Sequence, residues 1–311
     1  KDISEAATWA KERSLPIITI GSGSNIIWSD DGFNGLVLIN KFSGVEIFEE
    51  DAENIYVSAG AGEIWDDLVE QAVKRGLSGI EQLSLIPGTV GATPVQNVGA
   101  YGREIKDVLT TIEAFDLQTQ NFVTIPAGDC EFGYRTSRFK KVDKGRFVIT
   151  KVTLHLTKTP LSPPFYSSLE SYLQSHNITN YSPQNIRDAV IAIRTTKLPD
   201  PKNVANVGSF FHNPILDSNK AFKIIDKYAD IPHWPQQDGR VKFSAAWFIE
   251  QAGFKDYHDN ETGMATWHSQ PLVLVNENAH STEQLLSFKE KITETVQKKF
   301  GVTLQQEPEL I

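Results

Sequence analysis

The chain has 311 residues, of which 40% are hydrophobic and 22% charged, and its formal net charge is −9. That length accommodates two or three domains with sizeable cores, and the acidic balance excludes a general nucleic-acid binder, which needs a basic face. The single cysteine, Cys130, excludes an intramolecular disulfide and any multi-cysteine metal site and fits a reducing compartment, and no apolar run reaches the ~20 residues of a membrane span.

Lys1 opens directly on a helical pattern without signal-peptide features, and both ends read as trimmed. Ser4 to Arg13 reads as a helix and Leu15 to Ile20 as a buried strand. Ile26-Ile27-Trp28, Leu36 to Ile39, Val45 to Phe48 and Tyr56 to Ala59 read as further strands between turns. Glu63 to Arg75 is an amphipathic helix: Trp65, Leu68, Val69, Ala72 and Val73 share one face, and Gly76 stops it. Ile112 to Leu117 and Arg146 to Leu156 read as strands. Lys158 to Tyr181 is rich in proline and serine and reads as a mobile loop or an insertion. Ile186, Ala189, Val190 and Ile193 form a helix face, and Leu198-Pro-Asp-Pro-Lys202 interrupts regular structure and marks a domain boundary. Beyond it, Ala221, Ile224, Ile225 and Tyr228 mark one helix. Ala245, Phe248, Ile249 and Ala252 mark another, stopped by Gly253. Leu272 to Val275 is a strand. Ser281-Thr-Glu-Gln284 is a capping box that opens a helix running to Phe300, with Gly301 as its stop. The order is α+β, strand-rich first.

Two loops stand apart. Ile86 to Gly102 holds Gly88, Gly91, Gly99 and Gly102, with Pro87 and Pro94, in an otherwise apolar run. Backbone N–H groups in such loops form concavities that suit a pyrophosphate. Gly21-Ser22-Gly23-Ser24-Asn25 follows the strand Pro16 to Ile20, but a dinucleotide fingerprint would need a third glycine where Ile26 stands. Taken alone, this second loop is a plain turn or part of a ligand cradle.

Other segments carry open alternatives. Gly133-Tyr-Arg-Thr-Ser-Arg-Phe139 is a surface turn, or Arg135 in it binds a carboxylate or phosphate bidentately. Gly208-Ser-Phe-Phe-His-Asn-Pro214 is a strand end with a capping serine, or an exposed Ser209 hydroxyl shielded by two phenylalanines. His212 stands too close to Ser209 for a hydrolase triad. His212, His233, His258 and His268 lack metal-ligand spacing and read as surface histidines, so no metal is expected. Glu307-Pro-Glu309 is a solvated tail, or carries a carboxylate back to a cleft.

In chain order, several segments together resemble the UDP-N-acetylenolpyruvoylglucosamine reductase family over nearly the whole chain. They are Gly21 to Asn25, Ala61-Gly-Glu-Ile-Trp65, Ile86-Pro-Gly88 through Gln96-Asn-Val-Gly-Ala-Tyr-Gly102, Phe132-Gly-Tyr-Arg135, Arg194-Thr-Thr-Lys-Leu-Pro-Asp-Pro201, Gly208 to Pro214 and Leu304-Gln-Gln-Glu307. The resemblance implies a two-lobed FAD-binding fold of the vanillyl-alcohol-oxidase type. Lobe 1 spans 1–47 with 302–311 returning to it, and lobe 2 spans 48–198. A substrate-binding domain follows over 199–301. Tyr166, in Pro164-Phe-Tyr-Ser-Ser-Leu169, resembles the capping tyrosine of the family's first subtype.

The implied reaction has two halves. NADPH reduces FAD and leaves; the enolpyruvyl ether of UDP-N-acetylglucosamine then receives the flavin N5 hydride on its vinyl carbon. The carbanion so formed beside the carboxylate needs positive or hydrogen-bonding groups and a proton. By motif match Ser209 is the proton donor, Arg135 holds the carboxylate, and Glu307, chosen over Glu309, lies beside the reacting carbons. Gly21, Ser22, Gly23, Ser24, Asn25, Pro87, Gly88, Gly91, Ala92, Gln96, Asn97, Gly99, Ala100, Tyr101 and Gly102 match cofactor positions. Tyr134, Tyr166, Lys197, Asn213, Lys255 and Gln270 match substrate positions. The family also implies a monomer in the bacterial cytoplasm. Two departures stand out: Pro308-Glu309 follows Glu307 where the family often has Val-Arg, and Trp234 replaces a nucleotide-contacting tyrosine. The competing readings are an alcohol oxidase of the same FAD superfamily and a non-catalytic nucleotide-sugar-binding module.

Overall fold

The computed structural model describes residues 2–49, 51 and 53–311. Contacts divide them into two compact units. One runs up to Ser24 and from Phe33 to Arg194; the other comprises Asn25 to Gly32 and Thr195 to Ile311.

The first unit is built on a five-stranded antiparallel sheet. Its order is Val45–Glu49, Asn54–Gly60, Phe147–Thr157, Leu109–Asp116, Asn121–Pro126. The central strand Phe147–Thr157 is bulged between Ile149 and Lys151, so Ile149 packs with Val152, Leu154 and Leu156 in the main core while Val148 is buried in a separate cluster. Helix α1 (Asp2–Glu12) packs Ile3 and Ala7 in one cluster with Phe115 and Val148. A parallel pair, Ile17–Ile20 with Leu36–Ile39, follows it. Helix α2 (Trp65–Lys74) buries the predicted stripe in the main core, and the Trp65 indole N–H donates to Leu83 O at 2.9 Å.

The stretch Lys158 to Tyr181 holds more structure than expected: helix α3 (Ser167–Ser175) lies within it. Leu169, Tyr172 and Leu173 recur at helical spacing. They pack with Ile186, Ala189, Val190 and Ile193 of α4 (Pro183–Lys197), and that burial overrides the prolines upstream. Asp66 of α2 meets Arg187 of α4 in a bidentate pair at 2.7 and 2.9 Å. Burial opposes ionisation of Asp66, but Arg187 and the Leu85 amide hold its carboxyl below the usual range.

The second unit holds an antiparallel sheet in the order Asn206–Ser209, Gln270–Asn276, Met264–Trp267, His258–Asp259, and a smaller one of Ile215–Leu216, Val241–Phe243 and His233–Pro235. Its core is aromatic: Phe210, Phe211, Phe243, Phe248, Phe254 and Phe288 are buried together. Around it stand α5 (Ser218–Lys227), α6 (Ala245–Gln251) and α7 (Thr282–Phe300). The Ser281 capping box forms as expected, and Gly301 ends α7 with φ 68°. Glu309–Leu310 pairs in parallel with Ile26–Ile27. The α+β class expected from the sequence is the one observed, but Asn121–Pro126 and Met264–Trp267 are strands the pattern did not reveal, and of Asn206–Ser209 only the end was anticipated.

Asp116 ends its strand beside Arg146, which donates to its two oxygens at 3.2 and 2.8 Å. These hydrogen bonds depress the Asp116 carboxyl to about 2 from 3.8. A group lowered in the folded state stabilises fully above its unfolded pKa and loses that contribution as pH falls towards the folded one. Asp116→Asn is therefore expected to cost about 1–3 kcal/mol at neutral pH. In urea melts the gap from the parent protein should hold down to pH ~4 and shrink below it; a pH-independent gap would refute the assignment.

Candidate active site

In the first unit the segment 86–102 has no long regular element, yet its backbone is firmly paired. Gly91 N donates to Ala61 O at 2.9 Å, Val90 N to Glu63 O at 2.9 Å, and Gly88 O accepts from Trp65 N at 3.1 Å. These bonds lay the loop against the start of α2. Gly88 has φ 130°, which disfavours any side chain there. Ser24 Oγ donates to Pro87 O at 3.3 Å, so the two loops noted in the sequence meet. Gly21 also abuts Thr89: a Cβ on that glycine would strike the Thr89 side chain. Contacts place Gly21 to Ser24 in the first unit and Asn25 in the second, where Asn25 O accepts from Glu309 N at 3.0 Å. Pro87, Ala92 and Ser22 are exposed, whereas Gly91 and Asn97 are buried.

The turn Gly133–Thr136 closes on itself with backbone bonds of 3.0 and 3.3 Å. Arg135 on it has φ 52°. Its Nη2 donates to Gly99 O at 2.5 Å and its guanidinium lies 5.3 Å from the Tyr134 ring centroid. The second arginine, Arg138, is structural: it pairs with Asp143 at 2.5 Å and donates to Asp129 O at 2.9 Å. Arg135 thus reaches the glycine loop, and Arg138 stands in an ion pair.

Tyr166 precedes α3 and meets Tyr101 edge-on, centroids 6.1 Å apart. Tyr101 has φ 48°, and Gln82 donates to its carbonyl at 2.7 Å. Burial raises both phenols above their ordinary range, Arg194 opposing it at Tyr101, so both are neutral donors at pH 7. Arg194 was not assigned from the sequence. It is desolvated, which pulls its pKa down, and is partnered by the Tyr101 hydroxyl. Its Nε has no hydrogen-bond partner among the described residues. The signal was present: Arg187 and Arg194 are two arginines seven apart on a helix whose other face is apolar.

In the second unit Ser209 ends the strand Asn206–Ser209, opposite Val273. The strand-end reading of this serine is correct as to backbone. Two residues on, Phe211 bridges Gln306 in antiparallel sense. His212 N donates to Gln305 O at 2.8 Å and Glu307 N to Phe210 O at 2.9 Å. Glu307 is therefore not in a solvated tail: its side chain is 13% exposed and lies 4.0 Å from His212 Nε2. The surface reading of His212 is corrected by the same contact, its side chain being 18% exposed. Sequence spacing could not show it, because its neighbour stands across a strand pair rather than along the chain. His233, His258 and His268 are exposed.

The remaining expected residues have varied settings. Asn213 Oδ1 accepts from Ala245 N at 2.9 Å. Lys197 is exposed at the end of α4, and Lys255 is drawn to Glu250 at 2.7 Å, both exposed. Gln270 opens the strand Gln270–Asn276 opposite Trp267. Lys242 Nζ lies 5.7 Å from the Trp234 ring centroid. Burial pushes the Cys130 thiol up to about 11, which removes it as a nucleophile at neutral pH. Among the described residues no group of three or more His, Cys, Asp or Glu is placed to hold a metal ion, and no helix is long and apolar enough to cross a membrane.

Residues 1–121 match the model of an FAD binding domain family, and residues 200–311 match that of the UDP-N-acetylenolpyruvoylglucosamine reductase C-terminal domain. A UDP-N-acetylenolpyruvoylglucosamine reductase of Ralstonia nicotianae is 42% identical over 100% of this chain and 91% of its own length. One from Neisseria gonorrhoeae is 43% identical over 94% of this chain and 84% of its own. The crystal structure of a UDP-N-acetylenolpyruvylglucosamine reductase from Thermus caldophilus superposes with a TM-score of 0.62, covering 97% of this chain and 88% of that one. At 21% identity this last likeness speaks to the fold. The chain belongs to the UDP-N-acetylenolpyruvoylglucosamine reductase family.

Proposed function

We propose that this chain is the NADPH-dependent flavoenzyme that reduces the enolpyruvyl ether of UDP-N-acetylglucosamine to UDP-N-acetylmuramate, a step of peptidoglycan precursor synthesis in the bacterial cytoplasm. The observation that carries the reading is the bridge between Phe211 and Gln306, which draws Glu307 into the Ser209 segment. A solvated tail would have no reason to form it.

The first unit fits FAD. Thr89 Oγ1 is buried and has no hydrogen-bond partner among the described residues. A Cβ on Gly91 would come within 2.5 Å of the Ala61 Cβ, so a glycine there lets the loop lie close against the segment before α2. Gly21 to Asn25, Pro87, Gly88, Gly91, Ala92 and Gln96 to Gly102 are the residues we assign to holding it, Asn97 by its backbone, since its side chain is hydrogen-bonded within the protein. Bound FAD supplies the chemistry of a hydride carrier between NADPH and the vinyl carbon.

The chain's own residues do the rest. Ser209 Oγ gives its proton to the carbon beside the substrate carboxylate. A hydroxyl is a weak acid in water, but a carbanion is a strong enough base to take that proton. Arg135 binds the carboxylate bidentately and opposes the charge that develops on it. Glu307 stands beside the reacting carbons, with the His212 imidazole next to it. Tyr134, Tyr166, Lys197, Asn213, Lys255 and Gln270 bind the nucleotide sugar, the two lysines at its diphosphate, and the Tyr166 segment places the chain in the family's first subtype. We assign 1–47 with 302–311 to a first FAD lobe, 48–198 to a second and 199–301 to the substrate domain, in a monomer.

The purified protein is expected to be yellow, to bleach with NADPH under anaerobic conditions and to regain colour with the enolpyruvyl sugar. A protein unable to take up FAD would refute the reading, and rapid reoxidation by air alone would favour an oxidase. Ser209→Ala should leave bleaching by NADPH nearly intact and slow reoxidation by the sugar about 10²–10⁴-fold; equal loss in both halves would make Ser209 structural. Gly88→Ala, at φ 130°, should strain the loop by about 1–3 kcal/mol and lower the FAD content measured at 450 nm, roughly the flavin band in which oxidised cofactor is read.

A further inference from the structure

Arg135 sits on a turn closed by its own backbone bonds, and the turn as a whole has to be tied to the glycine loop. Its φ of 52° is unfavourable for a side-chain-bearing residue, and a long arginine carries several rotamers. Asn97 ties the base of the turn to the glycine loop. The Asn97 amide Nδ2 donates to Gly133 O at 3.0 Å and to Glu104 Oε2 at 2.9 Å, and its Oδ1 accepts from Lys106 N at 3.2 Å. Both amide hydrogens and the carbonyl are thereby used inside the protein, at a residue with 0% exposure and φ 49°.

Glu104, the anchor, is itself held. Its Oε2 pairs with Lys106 Nζ at 2.7 Å, and its N–H donates to Asp107 Oδ2 at 2.9 Å. It also faces Gly99 across the small hairpin Gly99–Ala100 with Arg103–Glu104. Gly99 O in turn takes the Arg135 Nη2 bond at 2.5 Å. A Cβ on Gly99 would lie 2.8 Å from Glu104 Cγ and 3.0 Å from Arg135 Nη1. The base of Arg135, through Gly133, and its head, through Gly99, are thus both referred to the same hairpin.

We propose that Asn97, anchored on Glu104, is a positioning residue for the Arg135 guanidinium, acting through the Gly133 turn rather than on substrate. The inference rests on the assignment of Arg135 to the substrate carboxylate made above. A misplacement of about 1 Å costs on the order of 10²-fold in rate, so the strut matters for the half-reaction that uses the carboxylate and not for the one that does not.

The test uses the FAD-loaded full chain and follows each half-reaction anaerobically. Glu104→Ala should slow reoxidation by the enolpyruvyl sugar about tenfold or more while reduction by NADPH keeps its rate. Glu104→Gln still offers Asn97 an acceptor and should keep both. Calorimetric affinity for UDP-N-acetylmuramate, which carries the carboxylate, should fall in the Ala variant and not in the Gln variant. Asn97→Ala and Arg135→Lys should each slow the sugar half-reaction, and the double variant should be little worse than Arg135→Lys, since residues acting through one group are non-additive. If Asn97→Ala does not fold, the Glu104 pair decides. Additive losses, equal slowing of both halves by Glu104→Ala, or a Gln variant as poor as the Ala variant would overturn the strut while leaving Arg135 in its role. An unimpaired sugar half-reaction in Arg135→Lys would overturn the role of Arg135 itself, and the strut with it.

Discussion

Buried backbone polar groups must find partners, and a chain outside helices and sheets has to find them one at a time. The segment 86–102 meets that demand with unrelated donors: Ser137 Oγ to Val95 O at 2.6 Å, Arg135 to Gly99 O at 2.5 Å, and Gln82 to Tyr101 O at 2.7 Å. Each bond fixes one carbonyl and, with it, the orientation of the neighbouring N–H groups. Left-handed backbone at Asn97, Tyr101 and Arg135 is the strain that this arrangement tolerates. A loop held so firmly is pre-organised, and in the role proposed for it would reduce the ordering cost of binding a cofactor.

The second unit solves a different problem. Its aromatic core supports a short strand, and the segment beyond α7 comes back to lie antiparallel to it at Phe211 and Gln306. The two phenylalanines, Phe210 and Phe211, are buried at 0% and 1% exposure, so they anchor the backbone between Ser209 and His212 rather than merely shielding it. A carboxylate and an imidazole are then neighbours in a half-buried setting, 4.0 Å apart.

Legibility followed burial pattern. Helices with one apolar stripe, such as α2, and the capped α7 were readable because their side chains repeat at helical spacing and their caps are local. The strand Met264–Trp267 was not, and of Asn206–Ser209 only the end showed, since four-residue strands with asparagine, glycine or threonine carry too little alternation to stand out. α3 was hidden by the serines and prolines around it. Of the proposed site residues, Ser209, Arg135 and Glu307 were singled out by resemblance, whereas the contacts around Arg135 and Glu307 were invisible to spacing. Asn97 holds a carbonyl 36 positions away, and His212 meets Glu307 across a strand pair; such partners exist only once the chain has folded.

The pairing of Glu309–Leu310 with Ile26–Ile27 bears on the order in which the protein is made. Residues 25–32 leave the ribosome early, yet their contacts belong to the unit completed by Thr195 to Ile311. The first unit has its whole sheet available once Thr157 has been synthesised, and α4 soon after, so it can fold while translation continues. The strand at Ile26 must wait unpaired through all of that, because loop closure over such a span comes late. During synthesis it is an open edge of apolar residues, closed only by residues about 280 positions further along the chain.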